Sequence, residues 1–117
     1  MDNKFKIRSK KYLRGAEGQP CTRCNTNDGT IVAAHYQGLR SHLYGKGTGT
    51  KVHDLLVADL CSECHHYFDS PQPPPSALSR DLCKALYSEE FLHCVALTIL
   101  RRVYDGILYT DDIKRGN

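Results

Sequence analysis

Apolar residues fall in short clusters between turn formers over the first seventy positions and at helical spacing after them. Thr30 to Tyr36 (Thr-Ile-Val-Ala-Ala-His-Tyr) predicts a strand with His35 near its end. Leu55, Leu56, Val57, Ala58 and Leu60 predict a second strand. A helix should begin at about Cys61 and stop by Ser70, because Pro71, Pro73, Pro74 and Pro75 follow. From Ser76 the pattern turns helical again, with Leu78, Leu82 and Leu86 spaced by four. Ser88, with Glu89 and Glu90 behind it, predicts the N-cap of a further helix. Leu92, Val95, Ile99 and Val103 (or Leu92, Ala96, Ile99 and Leu100) give that helix an apolar stripe, and Gly106 a stop.

Between the two strands, residues 38–51 hold Gly38, Gly45, Gly47 and Gly49 together with Arg40, Lys46 and Lys51, which predicts a basic, flexible loop. It lacks the Gly-x4-Gly-Lys-Ser/Thr register of a Walker loop and the dinucleotide fingerprint.

A chain of 117 residues predicts one domain, and 40% hydrophobic content without Trp predicts a modest core that a structural metal would help stabilise. No apolar run approaches the ~18–20 residues that span a bilayer, and the first fifteen residues are polar, so a cytoplasmic protein without a membrane segment is expected. The net charge of +3 is unevenly placed. Lys4, Lys6, Arg8, Lys10, Lys11 and Arg14 crowd residues 1–14 against one acid, Asp2, as in an arm that contacts nucleic acid. A solvated terminal tail is the plainer reading of the same pattern.

Two hooks of the same form carry the chemistry: Cys21-Thr-Arg-Cys24 and Cys61-Ser-Glu-Cys64. Four thiolates in two Cys-x2-Cys hooks make the usual tetrahedral zinc set, and in a cytosolic chain this spacing favours zinc over disulfides. Cys83 and Cys94 lie outside the hooks and read as small core residues. A knuckle hook, a hairpin and a second hook at the start of a helix form the arrangement called a treble clef. On that helix His65 and Asp69 are four apart and share a face. Zinc would fix hairpin and helix so that His35 faces this pair. A divalent metal held by His65 and Asp69 would polarise a phosphodiester, and a neutral imidazole opposite would take a proton from water. The bland reading is a surface His–Asp pair beside a structural zinc, with His35 orienting a cysteine or capping its strand. His66 reads as solvent-facing, and His42 and His53 as lesser candidates for a missing base or ligand.

Cys21-x2-Cys24, Ala-Ala-His35, Asp54 and Leu60-Cys61-x2-Cys64-His65-x3-Asp69 resemble the HNH, or ββα-metal, endonucleases with zinc hooks. Gly47 to Asp54 followed by the second hook is most similar to the small YbcO-like nucleases of phages and prophages. The resemblance covers residues 18–70 and implies an HNH-like ββα core between the arm and C-terminal helices over 76–108. It further implies hydrolysis of DNA with a catalytic Mg2+ or other divalent metal beside the structural Zn2+. By position, His35 matches the strand histidine and His65 the first helix ligand. Asp69 stands where many members have a second His or Asn, and Asp54 where the middle Asn falls. Ala34 departs from the pattern, since many members place a further metal ligand there. Either His35 is the base and the metal has fewer protein ligands, or His35 is a ligand and the base lies elsewhere. Lys4, Lys6, Arg8, Lys10, Lys11, Arg40, Lys46 and Lys51 are the candidate phosphate contacts.

Two other classes compete with this one. A non-catalytic zinc module binding nucleic acid or protein needs the hooks and the basic residues, but not His35, His65 and Asp69 together. A zinc deaminase needs His-x-Glu before Pro-Cys-x2-Cys. Here His35-Tyr36-Gln37 lacks the Glu and Pro20-Cys21 precedes the His, so that class is excluded.

Overall fold

A computed structural model describes residues 6–47, 49–70 and 79–112. The elements in chain order are a short helix α1 (Lys10–Arg14), strand β1 (Val32–His35), a 3-10 turn (Ser41–Tyr44), strand β2 (Val57–Leu60), helix α2 (Ser62–Asp69) and helix α3 (Arg80–Tyr104). The chain is thus a small α+β domain with a two-stranded sheet. Among the described residues, no helix is long and apolar enough to cross a membrane.

The strands pair antiparallel, with Val32 opposite Leu60 and His35 opposite Val57. All four residues of β2 are buried, which explains why its sequence shows no polar alternation. α3 covers the sheet, and α2 leaves β2 directly through Cys61, whose sulfur caps the helix by accepting the Cys64 N–H. A core of Ala34, Tyr36, Val52, Ala58, Leu60, Phe91 and Val95 fills the space between these layers, with the buried hook cysteines at one end.

Three sequence expectations are corrected here. Two C-terminal helices were expected over 76–108, but the described part holds one continuous helix, capped at Ser79, whose hydroxyl accepts the Leu82 N–H. Residues 71–78, including Leu78 and the prolines, lie outside the described residues. Ser88 is no cap. It is buried mid-helix, where its hydroxyl pairs with the Tyr36 hydroxyl and accepts the Leu39 N–H. Gly38 permits that approach: a Cβ there would lie 2.4 Å from the Tyr36 ring and 2.6 Å from the Ser88 oxygen.

The buried face of α3 is broader than the expected stripe, of which Val95 is buried and Leu92 and Ile99 pack against the core. Its buried residues are Ser88, Phe91, Cys94, Val95, Thr98 and Arg102, while Leu82, Leu86 and Leu100 are exposed and Cys83 is only half-buried. Thr98 and Arg102 occupy the inner face because β2 supplies them partners. Asp59, in mid-strand, donates its N–H to the Thr98 hydroxyl and takes both arms of the Arg102 guanidinium at 2.6 and 2.9 Å. Arg102 Nε reaches back to the Tyr12 carbonyl at 2.7 Å, which fastens α1 to the same centre.

The third correction concerns the basic arm. Lys4 lies outside the described residues, but residues 6–14 are docked rather than trailing in solvent. Ser9 caps α1, Tyr12 is buried, and the Arg8 guanidinium donates to the carbonyls of Val52 and Lys51. The Lys6 ammonium donates to the Gly45 carbonyl. The glycine-rich connection likewise carries its own structure, the 3-10 turn and a bridge between Gly47 and Thr50.

Candidate functional site

The sulfurs of Cys21, Cys24, Cys61 and Cys64 lie within 4.8 Å of one another. Thiolates 2.3 Å from a zinc at tetrahedral angles would be about 3.8 Å apart, so the cluster is of the right size. The donor set fits zinc and closes the site, since four thiolates leave no position for water. The first hook curls because Cys21 N–H donates to Thr26 O at 2.7 Å and Asn25 takes a left-handed conformation, φ 65°. Thr22 fastens this knuckle to β2 through two bonds to the Asp59 carbonyl.

Four thiolates around a divalent ion leave net negative charge, which N–H donors must offset. Arg23 supplies two of them. Its backbone N–H points at the Cys21 sulfur at 3.4 Å and its guanidinium at the Cys64 sulfur at 3.5 Å. The guanidinium is held there by Glu90 at 3.1 Å and by the Tyr67 ring, 3.6 Å below it. Thr26 holds the exposed Cys24 thiol down to about 6, whereas burial pushes the Cys64 thiol up. A bound cation would favour the thiolate at every position.

Away from the cysteines, His35 and Asp54 form the closest pair of candidate catalytic groups. His35 Nε2 lies 2.8 Å from Asp54 Oδ1, and both side chains are largely buried. The second carboxylate oxygen accepts the Ser9 N–H at 2.8 Å, and Arg8 approaches the first at 3.4 Å. Burial pushes the Asp54 carboxyl up, but the His35 ring, the Ser9 N–H and the nearby positive charges outweigh it and hold the carboxyl below its ordinary value. An ionised carboxylate can only accept, so His35 Nε2 carries a proton and donates it to Asp54.

His65 Nε2 and Asp69 Oδ2 are 3.1 Å apart on the outer face of α2, and both side chains are substantially exposed. Two cavities bring this face to His35. One, of about 320 Å³, is lined by His35, His65, Lys46, Thr50 and Lys51. The other, of about 340 Å³, is lined by His35, Asp69, Lys84 and aromatic residues. His35 and Gln37 border both.

The remaining candidates separate clearly. Lys46 and Lys51 stand at a cavity wall, whereas Lys10, Lys11 and Arg40 are exposed and border neither cavity. Lys6 and Arg8 are engaged within the fold. His53 is buried with its Nδ1 accepting the Ile7 N–H, a structural role, and His42 and His66 are exposed. Among the described residues, the four cysteines are the only cluster of three or more potential ligands.

Sequence reasoning missed the Asp59–Arg102 pair, although an Asp inside the run Val-Ala-Asp-Leu is itself a signal that a buried partner is needed. It also missed the aromatic cavity, which depends on how α2 and α3 pack.

Fold and site together define a small α+β domain with a four-cysteine centre that could hold a structural zinc. No family model, curated protein or solved structure matches the chain.

Proposed function

We propose that this chain is a metal-dependent endonuclease of the HNH, ββα-metal type, built on a treble-clef-like core and hydrolysing phosphodiester bonds in DNA. One observation carries the reading: His35, held by Asp54 at 2.8 Å, shares a cavity with His65 and two lysines. A nuclease needs a base, a place for a hard cation and cationic groups for phosphate around one space. The order β1, β2, α2 with a hook at the helix start agrees with the same class.

In this reading His35 Nδ1 takes the proton of the attacking water as its oxygen bonds to phosphorus and the bond to the leaving sugar oxygen breaks, that oxygen taking a proton from solvent water to leave as a hydroxyl. Asp54 holds the ring in the required tautomer and stabilises the imidazolium that forms. His65 and Asp69 would hold the divalent ion, which when bound supplies Lewis-acid stabilisation of the charge on the phosphate. Lys46 and Lys51 steer the flanking phosphates. His35 serves as base rather than ligand because its Nε2 is committed to Asp54 and, among the described residues, it joins no cluster of three potential ligands.

A second reading, a non-catalytic zinc module that binds nucleic acid or protein, is favoured by the exposed His65–Asp69 pair, which is satisfied as a simple hydrogen bond. Conversion of supercoiled plasmid to open circles by the zinc-loaded chain, dependent on added Mg2+ or Mn2+, separates the two.

A further inference from the structure

The cavity of about 340 Å³ is not needed for hydrolysis, yet it opens beside the groups proposed to carry it. Its volume lies in the range of small-ligand sites, roughly 300–1,000 Å³. Leu39, Phe68, Tyr87 and Phe91 form its walls, with Gln37 and Lys84 among its polar groups. Phe68 sits edge-on to Phe91 at 4.8 Å and to Tyr87 at 6.4 Å, so the rings are fixed by one another rather than collapsed into the space. Tyr87 is steadied further by Tyr67, at 4.7 Å. His35 and Asp69 line the same cavity.

From this arrangement we infer that the cavity receives one unpaired nucleobase, so that the substrate is a single-stranded segment of DNA rather than intact duplex. The inference rests on the endonuclease reading for the identity of the polymer. Its own grounds are chemical. A base is a flat, mostly apolar ring that gains by stacking against aromatic side chains, and its polar edge needs an amide such as Gln37. A duplex buries that ring in its own stack and must extrude it at a cost before it can enter. Lys84 and His35 line this cavity, and His35 also lines the adjoining one with Lys46 and Lys51, so cationic groups for the attached phosphates border both. Lysines therefore border both cavities, while the cluster of Phe68, Tyr87 and Phe91 belongs to one.

The test uses the full zinc-loaded chain without added divalent ions, so that binding is read without cleavage. Fluorescence anisotropy would compare three probes of about 12 nucleotides, a length within the usual site sizes for single strands. They are oligo-dT, an abasic strand with the same phosphates, and a blunt duplex. Oligo-dT should bind at least about 5-fold more tightly than the abasic strand, the smallest gain expected from one stacked base. Tyr87→Ala should abolish that advantage and leave abasic binding unchanged. Equal affinity of the wild type for oligo-dT and the abasic strand overturns the inference, whatever the variant does, as does tighter binding of the duplex. The outcome is separable from the endonuclease reading. Cleavage of plasmid or of single-stranded circular DNA without base-dependent binding leaves the enzyme and removes the pocket; base-dependent binding without cleavage of either substrate does the reverse.

Discussion

Arg102 in the last turn of α3 grips Asp59 in the middle of β2 with two hydrogen bonds, and neither side chain has any solvent exposure. Arg101 adds a third contact to the same carboxylate at 3.3 Å. The pair does more than join helix to sheet. The Asp59 carbonyl holds Thr22 of the first hook, and Arg102 holds Tyr12 of α1. Gly15 is part of the same arrangement, because a Cβ there would fall 2.4 Å from Arg102 Nε.

Breaking this pair leaves a buried carboxylate with only the 3.3 Å contact of Arg101. Arg102→Met should destabilise the fold by about 3–5 kcal/mol, whereas the double change Asp59→Leu with Arg102→Met should recover much of the loss. Urea unfolding followed by circular dichroism would measure both. Equal losses for single and double variants would show that packing, not the stranded charge, sets the cost.

The sequence made the hooks, the hairpin and α2 legible because each is local: Cys-x2-Cys spacing, an apolar run, a proline stop. His35 and Asp54 were both read as candidates, but their contact was not, since it depends on residues 7–9 clamping the chain before β2. Ser88 misled for a similar reason. Ser followed by two Glu is a good capping signal, and only the Tyr36 hydroxyl explains why the helix runs through it. Position in the fold decides the role of such polar residues, and no local pattern encodes it.

Arg23 should matter to the metal more than to the fold. Its guanidinium faces the Cys64 sulfur and is held by Tyr67 and Glu90, so Arg23→Ala removes an outer donor from a thiolate. Zinc affinity, read by competition with a chromogenic chelator, should fall by about 10-fold or more. Cys61→Ser should lose zinc and folding together. Unchanged affinity in Arg23→Ala would reduce that contact to surface packing.

Acid should act on Asp54. Its carboxyl pKa is depressed in the fold, so it contributes stability that is fully present above the unfolded value, about 4, and lost as pH falls through the folded value. Asp54→Asn should therefore be less stable than the wild type at neutral pH, by roughly 2 kcal/mol. The gap should close below about pH 4. Taking the difference between the two proteins at each pH cancels the contribution of the cysteine cluster. A gap that stays constant down to the acid limit would mean that the carboxylate charge contributes nothing.

The most direct measurement is the rate of plasmid nicking by the zinc-loaded chain in Mg2+ or Mn2+, with His35→Ala and His65→Ala beside the wild type. Nicking should require the added ion, and His35→Ala should lose about 10²-fold or more, as removal of a general base does. Zinc content and DNA affinity should be retained in that variant. His65→Ala should lose nicking in a way that higher metal concentration partly restores. No cleavage by the wild type of either supercoiled plasmid or single-stranded circular DNA, or nicking by His35→Ala at the wild-type rate, would contradict the assignment of His35 as base and leave the chain a zinc-dependent binding module.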